Sequence, residues 1–221
     1  MTLFQRWDET FGCWVKNLPE KDSYLFDELQ SDHPINDLSR EMQFLIEDVL
    51  SEIIDNSKIK SGDYIISEML IEPNSDTSQL CISKSNQFGT SIEFCIHPNC
   101  FSLTSTFNNI NAIHAQNDEW WVLLISLFDK YECKFFDSNS LSDYGNKSIK
   151  RIIEKLSSIK SVDDSHDFGA LCVTCENVQD LKAIISDGSK IFYVLNKLNH
   201  MLYRTNYTRE KRAISKHITK N

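Results

Sequence analysis

The spacing of hydrophobic residues changes along the chain. From residue 3 to residue 58 they recur every three or four positions, the spacing of one helical face. From residue 63 to residue 107 the period falls to two, which is typical of half-buried strands. The pattern therefore predicts helices first, and then an antiparallel meander of strands joined by short turns. The predicted helices cover residues 3–17, 23–29 and 37–56, the predicted strands cover residues 64–71, 79–83, 91–97 and 101–107, and residues 111–115 are a fifth strand or a loop.

The most apolar window of the chain follows these strands, from Asp118 to Phe128. Trp121, Leu124 and Phe128 lie on one helical face, and the remaining faces of the window are apolar too. A helix that is apolar on all sides is expected to be buried. We therefore predict a central buried helix that is capped by Asn117 or Asp118.

The rest of the chain alternates between strands and helices. The pattern predicts a strand at 132–136, a loop at 137–146, a helix at 147–159, a strand at 169–175, a helix ended by Gly188 and a last helix at 191–202. Strands that are grouped first and alternate later are typical of an α+β fold. We therefore predict N-terminal helices, a mainly antiparallel sheet of four to six strands, the central helix and C-terminal helices. They form a single domain over residues 1–204, with a helical part at 1–58, and a basic tail at 205–221 that frays.

Composition limits the class of protein. The chain has 221 residues, of which 41% are hydrophobic, and this is enough to bury a core. No apolar run reaches the roughly 20 residues that a membrane helix needs, and the first residues lack the pattern of a secretory signal. We therefore expect a cytoplasmic protein without membrane contact, whose seven cysteines are mostly reduced thiols.

The net charge of −9 is spread unevenly along the chain. Residues 1–80 contain 17 acidic and 6 basic side chains, whereas residues 182–221 contain 2 acidic and 9 basic ones. An acidic surface attracts basic partners and speeds their capture. Periodicity places five acids largely on the outward side of the helix at 37–56, namely Glu41, Glu47, Asp48, Glu52 and Asp55. The alternative is that these acids form an ordinary solvated surface.

Motifs that would fix a reaction are missing from the sequence. It has no Gly-x-Ser-x-Gly, no Gly-x-Gly-x-x-Gly and no Walker loop. Together with the acidic surface, this predicts a non-enzymatic module that binds a basic protein partner. A toxin-neutralising immunity protein, or a component of a bacterial defence complex, fits that description, and the partner is then a toxin or another subunit.

A metal-dependent nuclease or hydrolase is the alternative hypothesis. Such an enzyme holds magnesium with carboxylates on adjacent strands and uses a lysine near them. The predicted strands supply these residue types at Asp63, Glu68, Glu93 and Lys84. Acidic residues on the solvent side of a one-sided sheet give the same pattern without a metal.

Cysteine and histidine spacing marks a candidate zinc site. Cys95, His97 and Cys100 surround a predicted turn, and Cys172 with Cys175 forms a Cys-x-x-Cys pair. Thiolates and an imidazole suit zinc. However, residues i and i+3 of a strand point to opposite faces, so the alternative is that these residues are packed free cysteines and a histidine at a hairpin end.

The basic tail is a candidate nucleic-acid contact. Its cations could contact phosphates, with Tyr203 and Tyr207 interleaved among them. The candidate phosphate-contacting cations are Arg204, Arg209, Lys211 and Arg212. The alternatives are a solubilising tail, or one that pairs with the acidic third of the chain.

Overall fold

The computed structural model describes residues 1–16, 34–59, 64–68, 80–86, 91–108, 116–137, 140–145, 168–176 and 180–218. The helices predicted at 23–29 and 147–159, and the segment 111–115, lie outside the described residues. The described helices are α1 (Leu3–Lys16), α2 (Pro34–Asn56), α3 (Asp118–Phe128) and α4 (Leu181–Ile218). The described strands are β1 (Tyr64–Glu68), β2 (Leu80–Asn86), β3 (Ser91–Ile96), β4 (Cys100–Asn108), β5 (Glu132–Asp137), β6 (Ser140–Gly145) and β7 (Phe168–Glu176).

The described strands form one sheet of seven in the order β1-β2-β3-β4-β7-β5-β6, and every neighbouring pair is antiparallel. The first four strands follow chain order, as a meander does, and β7 inserts between β4 and β5. The α+β class and the antiparallel sheet are therefore confirmed. The expected number of four to six strands is too low, because the segment predicted as a loop at 137–146 contains β6 at the sheet edge.

Helices cover one face of the sheet. α2 contacts β2, α4 contacts β4 and α3 contacts β5. The side chains that β3 and β4 direct to this face are large and fully buried, such as Phe94, Phe101 and Leu103. α1 packs on α2 and buries three aromatic side chains, of which Trp7 and Phe11 stack with their ring centroids 4.6 Å apart. The apolar core therefore lies between the sheet and its helical layer.

The helix α3 is anchored at its N-terminal end. Asn117 caps it by accepting a hydrogen bond from the backbone N–H of Trp120, and the indole Nε1 of Trp120 donates to the Leu198 carbonyl at 3.2 Å. Trp120, Leu124 and Leu127 are buried. Val122, however, is 63% exposed, so the expectation that α3 is buried on all sides is wrong. The helix covers the sheet with one face and presents another face to solvent.

The C-terminal helix α4 is continuous through Gly188, where the sequence predicts an end. A Cβ atom at this position would lie 2.8 Å from Cδ1 of Ile53, so Gly188 allows α4 to approach α2 closely. The prediction of two helices was wrong because glycine serves here in helix packing rather than in helix termination. The backbone remains helical to Ile218, which covers most of the segment predicted to fray.

Small and polar side chains occupy the other face of the sheet. The alternation within each strand and the register between strands place them on that face. They include Cys81, Ser83, Glu93, Cys95, Ser102, Thr104, Cys172 and Thr174. We call this side of the sheet the polar face. It contrasts with the helix-covered face, where the corresponding positions are mostly aliphatic or aromatic.

Candidate functional site

The helix α2 presents a continuous exposed stripe on the side that points away from the sheet. Its inner positions, such as Met42, Val49 and Ile53, are fully buried. The exposed positions recur every three or four residues, so they share one helical face. We call them the outer stripe, which consists of Glu41, Phe44, Asp48, Glu52 and Asp55.

Phe44 stands within the acidic part of the outer stripe. Its side chain is 55% exposed, although burial of a phenylalanine contributes roughly 1.5–3 kcal/mol to stability. Glu41 lies one turn before it and Asp48 one turn after it. A large apolar side chain flanked by charges resembles the aromatic anchors that concentrate binding energy in protein interfaces.

Two contacts order parts of the outer stripe. Arg6 of α1 forms an ion pair with Asp48. The side-chain amide of Asn56 donates to Glu52 Oε1 at 2.9 Å. Such exposed contacts contribute little to stability. Asp48 and Glu52 therefore hold defined positions on the surface, and their contacts change the free energy of unfolding only slightly.

Lys84 gives some of the acids on α2 a structural role. It is only 7% exposed, beneath α2, and its Nζ donates to Ser51 Oγ at 2.9 Å. Burial lowers the pKa of Lys84, and the nearby carboxylates of Glu47, Asp55 and Asp48 oppose this change. Glu47, which the sequence assigned to the outward surface, is half-buried. Glu41 and Glu52 are not among the carboxylates that act on Lys84, so a change of either one tests binding without disturbing this lysine.

Of the four residues of the alternative nuclease hypothesis, the structure describes the side chains of Lys84 and Glu93, and these two are not brought together. Lys84 faces α2, whereas Glu93 pairs across from Ser83 and lies on the polar face. Glu68 lies in β1 opposite Ser83, but its side chain is outside the described part of the structure, as is all of Asp63. The lysine and the carboxylate that can be compared are therefore separated by the sheet.

The five predicted zinc ligands also do not form one cluster. Cys95 forms a disulfide with Cys81, directly opposite it in the β2–β3 pair, so these two cysteines are the exception to the expectation of mostly reduced thiols. Cys172 lies on the polar face, whereas Cys175 is buried on the helix-covered face, where desolvation raises its pKa to about 12. A buried neutral thiol is a poor metal ligand.

His97 and Cys100 close the turn between β3 and β4. The backbone N–H of His97 donates to the Cys100 carbonyl at 2.8 Å. Burial lowers the pKa of His97 and raises that of the Cys100 thiol. His97 and Cys100 are close because they close a turn. Cys95, which the sequence predicts as a zinc ligand beside them, is bound in the disulfide with Cys81.

Cys81 and Phe44 are not among the site residues that the sequence predicts. Cys81 could have been found by pairing the strands predicted at 79–83 and 91–97 in antiparallel register, because the register of the structure places Cys81 opposite Cys95. Phe44 could have been found by asking which apolar residue falls between the outward acids. The contact between Lys84 and Ser51 joins residues 33 positions apart and has no sequence signal.

The predicted nucleic-acid contact is described only in part. Arg204 is exposed near the middle of α4. Arg209, Lys211 and Arg212 continue the same helix, and their side chains are outside the described part of the structure. The backbone of these residues is helical, rather than a loose tail.

A shallow groove of about 810 Å³ lies beside the outer stripe, between α1, the end of α2 and α4. Lys58, Lys182 and Lys190 contribute cations to it, and Phe4 and Tyr193 contribute partly exposed rings. Glu52 belongs to both the groove and the outer stripe. The helical side of the molecule therefore carries adjoining acidic and basic areas.

No described helix combines the length and the apolar character that crossing a bilayer requires. Comparison with known proteins adds no relative: no protein-family model, no curated protein and no solved structure matches this chain. The function proposed below therefore rests on the exposure, charge and contacts of the described residues.

Proposed function

We propose that this protein is a non-enzymatic binding protein that captures a basic protein partner through the outer stripe of α2. The observation that carries the proposal is Phe44, which is 55% exposed between Glu41 and Asp48. An exposed aromatic ring supplies apolar contact area, and the acids around it select a partner of opposite charge.

The arrangement suits fast and selective capture. Long-range attraction between an acidic surface and a basic one raises the association rate, and the aromatic contact slows dissociation once the two surfaces meet. The outer stripe has acids over its whole length, from Glu41 to Asp55, about 21 Å at 1.5 Å per residue. This length fits an elongated contact with a helix or a strand of the partner.

The partner class follows from the charge. A cationic toxin, such as a nuclease with a nucleic-acid-binding surface, or a basic subunit of a defence complex presents the complementary chemistry. We also propose a cytoplasmic location. The support is that Cys100, Cys133, Cys172 and Cys175 are thiols outside any disulfide, and such thiols are uncommon in oxidising compartments.

A pull-down with charge-matched variants tests this proposal. The double substitution Glu41→Lys and Glu52→Lys should remove a basic partner from the set recovered in the host extract. The control is Glu132→Lys with Glu176→Lys, which changes the net charge equally at exposed positions on the polar face. Phe44→Ala should weaken recovery of the same partner while leaving the charge unchanged.

Two outcomes would contradict the proposal. One is that both lysine pairs lose the same proteins, because only net charge would then matter. The other is that wild type and all variants recover the same partners in the same amounts. Denaturant titration of each variant must show an unchanged midpoint, so that loss of partner is not loss of fold.

A further inference from the structure

A second cluster of reactive side chains lies on the polar face, on the side of the sheet opposite α2. Cys81 and Cys95 face each other across β2 and β3, and Glu93 precedes Cys95 by two residues on the same face. Glu93 Oε1 lies 3.1 Å from Cys95 Sγ. One ligand atom from each of these residues lies within 4.8 Å of the other two.

This donor set has a specific chemistry. Two thiolates and one carboxylate are ligands that Zn²⁺ accepts, and three protein ligands leave a fourth position for water or another donor. A tetrahedral zinc with Zn–S bonds of about 2.3 Å needs the two sulfurs about 3.8 Å apart. Opposed cysteines on adjacent strands reach this separation by rotation of their side chains, without a change of strand register.

The surroundings favour a cation when the cysteines are reduced. Cys95 is only 5% exposed, whereas Cys81 and Glu93 are half-buried, so an ion can enter from the solvent side. A carboxylate and two sulfur atoms on one face supply donors that a divalent cation can bind together, whereas a disulfide between the sulfurs removes both of them from the donor set.

We propose that Cys81, Glu93 and Cys95 form a Zn²⁺ site when the two cysteines are reduced, and that the disulfide between them closes it. A dithiol reductant opens the site by transferring two electrons to the disulfide, which yields two cysteine thiols and the oxidised, cyclic disulfide of the reductant. Zn²⁺ then binds both sulfurs and Glu93 with release of the two thiol protons. Metal binding and disulfide formation therefore exclude each other at this site.

Cobalt titration of the full chain tests the proposal, because Co²⁺ replaces Zn²⁺ and gives thiolate-to-metal absorption bands. The reduced protein, freed of metal with a chelator, should bind about one equivalent of Co²⁺ with these bands, and Zn²⁺ should bleach them. The oxidised protein should show no bands. Cys81→Ser and Cys95→Ser should each abolish them, and Glu93→Gln should weaken binding about tenfold or more.

The matched controls are Cys100→Ser and Cys172→Ser, which change half-buried cysteines on the same sheet face. They should bind Co²⁺ as wild type does. The proposal would be overturned if the reduced wild type gave no thiolate bands. It would also be overturned if Glu93→Gln bound Co²⁺ as wild type does while Cys100→Ser and Cys172→Ser lost binding. Should either Cys81→Ser or Cys95→Ser fail to fold, Glu93→Gln and the oxidised wild type still decide, because both retain the two cysteines.

Discussion

The two sides of α2 differ in both exposure and chemistry. Its inner side contains Met42, Ile46 and Val49, none of which is exposed, and it seals the core against the sheet. Its outer side presents Glu41, Asp48 and other acids around a half-exposed phenylalanine. On the proposed function, one amphipathic helix stabilises the fold with its inner side and binds a partner with its outer side. Substitutions on the inner side should change folding, and those on the outer side should change binding.

Lys84 marks the boundary between these two sides. It reaches α2 from the sheet, and the carboxylates of Glu47, Asp55 and Asp48 favour its charged form. Reversing the charge of Glu47 or Asp48 would therefore disturb both sides at once. Asp48 also pairs with Arg6. Glu41 and Glu52 therefore give a cleaner test of binding than Glu47 and Asp48, which also act on Lys84.

The largest effect is expected from the inner side. Ile46→Ala should lower the free energy of unfolding by about 2–5 kcal/mol, because Ile46 is fully buried and its truncation leaves a cavity. Denaturant titration measures this change. A loss below about 1 kcal/mol would mean that α2 does not seal the core, and the comparison between its two sides would fail.

A smaller effect is expected where α4 approaches the inner side of α2. Gly188→Ala should cost about 1–3 kcal/mol, because the new Cβ would press on Cδ1 of Ile53. Ile53→Val removes that atom, so the cost of Gly188→Ala should fall in the double variant. A double-mutant cycle measures the coupling. If the two substitutions have purely additive effects on the free energy of unfolding, the contact with Ile53 does not determine the cost of Gly188→Ala.

Much of the fold could be predicted, because α1, α2, α3 and the first four strands depend on local periodicity that the sequence displays. The continuous helix through Gly188 could not, since glycine ends helices and also lets them pack closely, and only the position of Ile53 decides between the two. The edge strand β6 has a polar sequence with little alternation. Its pairing with β5 depends on a neighbour rather than on its own pattern.

The candidate site was predictable to a similar degree. Spacing alone placed Glu41, Asp48 and Glu52 on the outward side of α2, and the structure places them there. It could not reveal that Glu47 is half-buried near Lys84, because that contact joins distant parts of the chain. The disulfide partner of Cys95 depended on strand register, which one residue of slip would change.

The boundary residue Lys84 should affect how stability depends on pH. Its pKa is lowered in the folded state, so between that value and the ordinary value of 10.5 the unfolded state binds more protons. The free energy of unfolding therefore gains a contribution that rises with pH across this window. Lys84→Met should remove the contribution.

The difference between wild type and Lys84→Met, followed by denaturant titration from neutral to alkaline pH, isolates this contribution. Burial raises the pKa of Cys133 and Cys175 to about 12, so above pH 9 these thiols lower stability in both proteins and cancel in the difference. If this difference in the free energy of unfolding stays constant with pH, the pKa of Lys84 is the same in the folded and the unfolded protein.

The smallest effect on stability is expected from the outer side. Glu41→Lys with Glu52→Lys should change the free energy of unfolding by less than about 0.5 kcal/mol, because both side chains are exposed. The same pair should slow capture of a basic partner roughly tenfold or more at low salt, and the difference should shrink as salt rises. Stopped-flow association across salt concentrations measures this. An equal rate for wild type and variant at low salt would remove the steering role of the acids.

Site-specific photo-crosslinking at residue 44 is the most direct test of whether the outer stripe binds a basic protein. A photoreactive phenylalanine analogue replaces Phe44 in cells of the native host, and the matched control places it at Val122, which is 63% exposed on α3. A cross-link to a basic protein is expected from position 44, and it should be absent from position 122 and lost when Glu41→Lys and Glu52→Lys are added. The same cross-links from both positions, or none from position 44 when the protein is folded and expressed, would contradict this expectation.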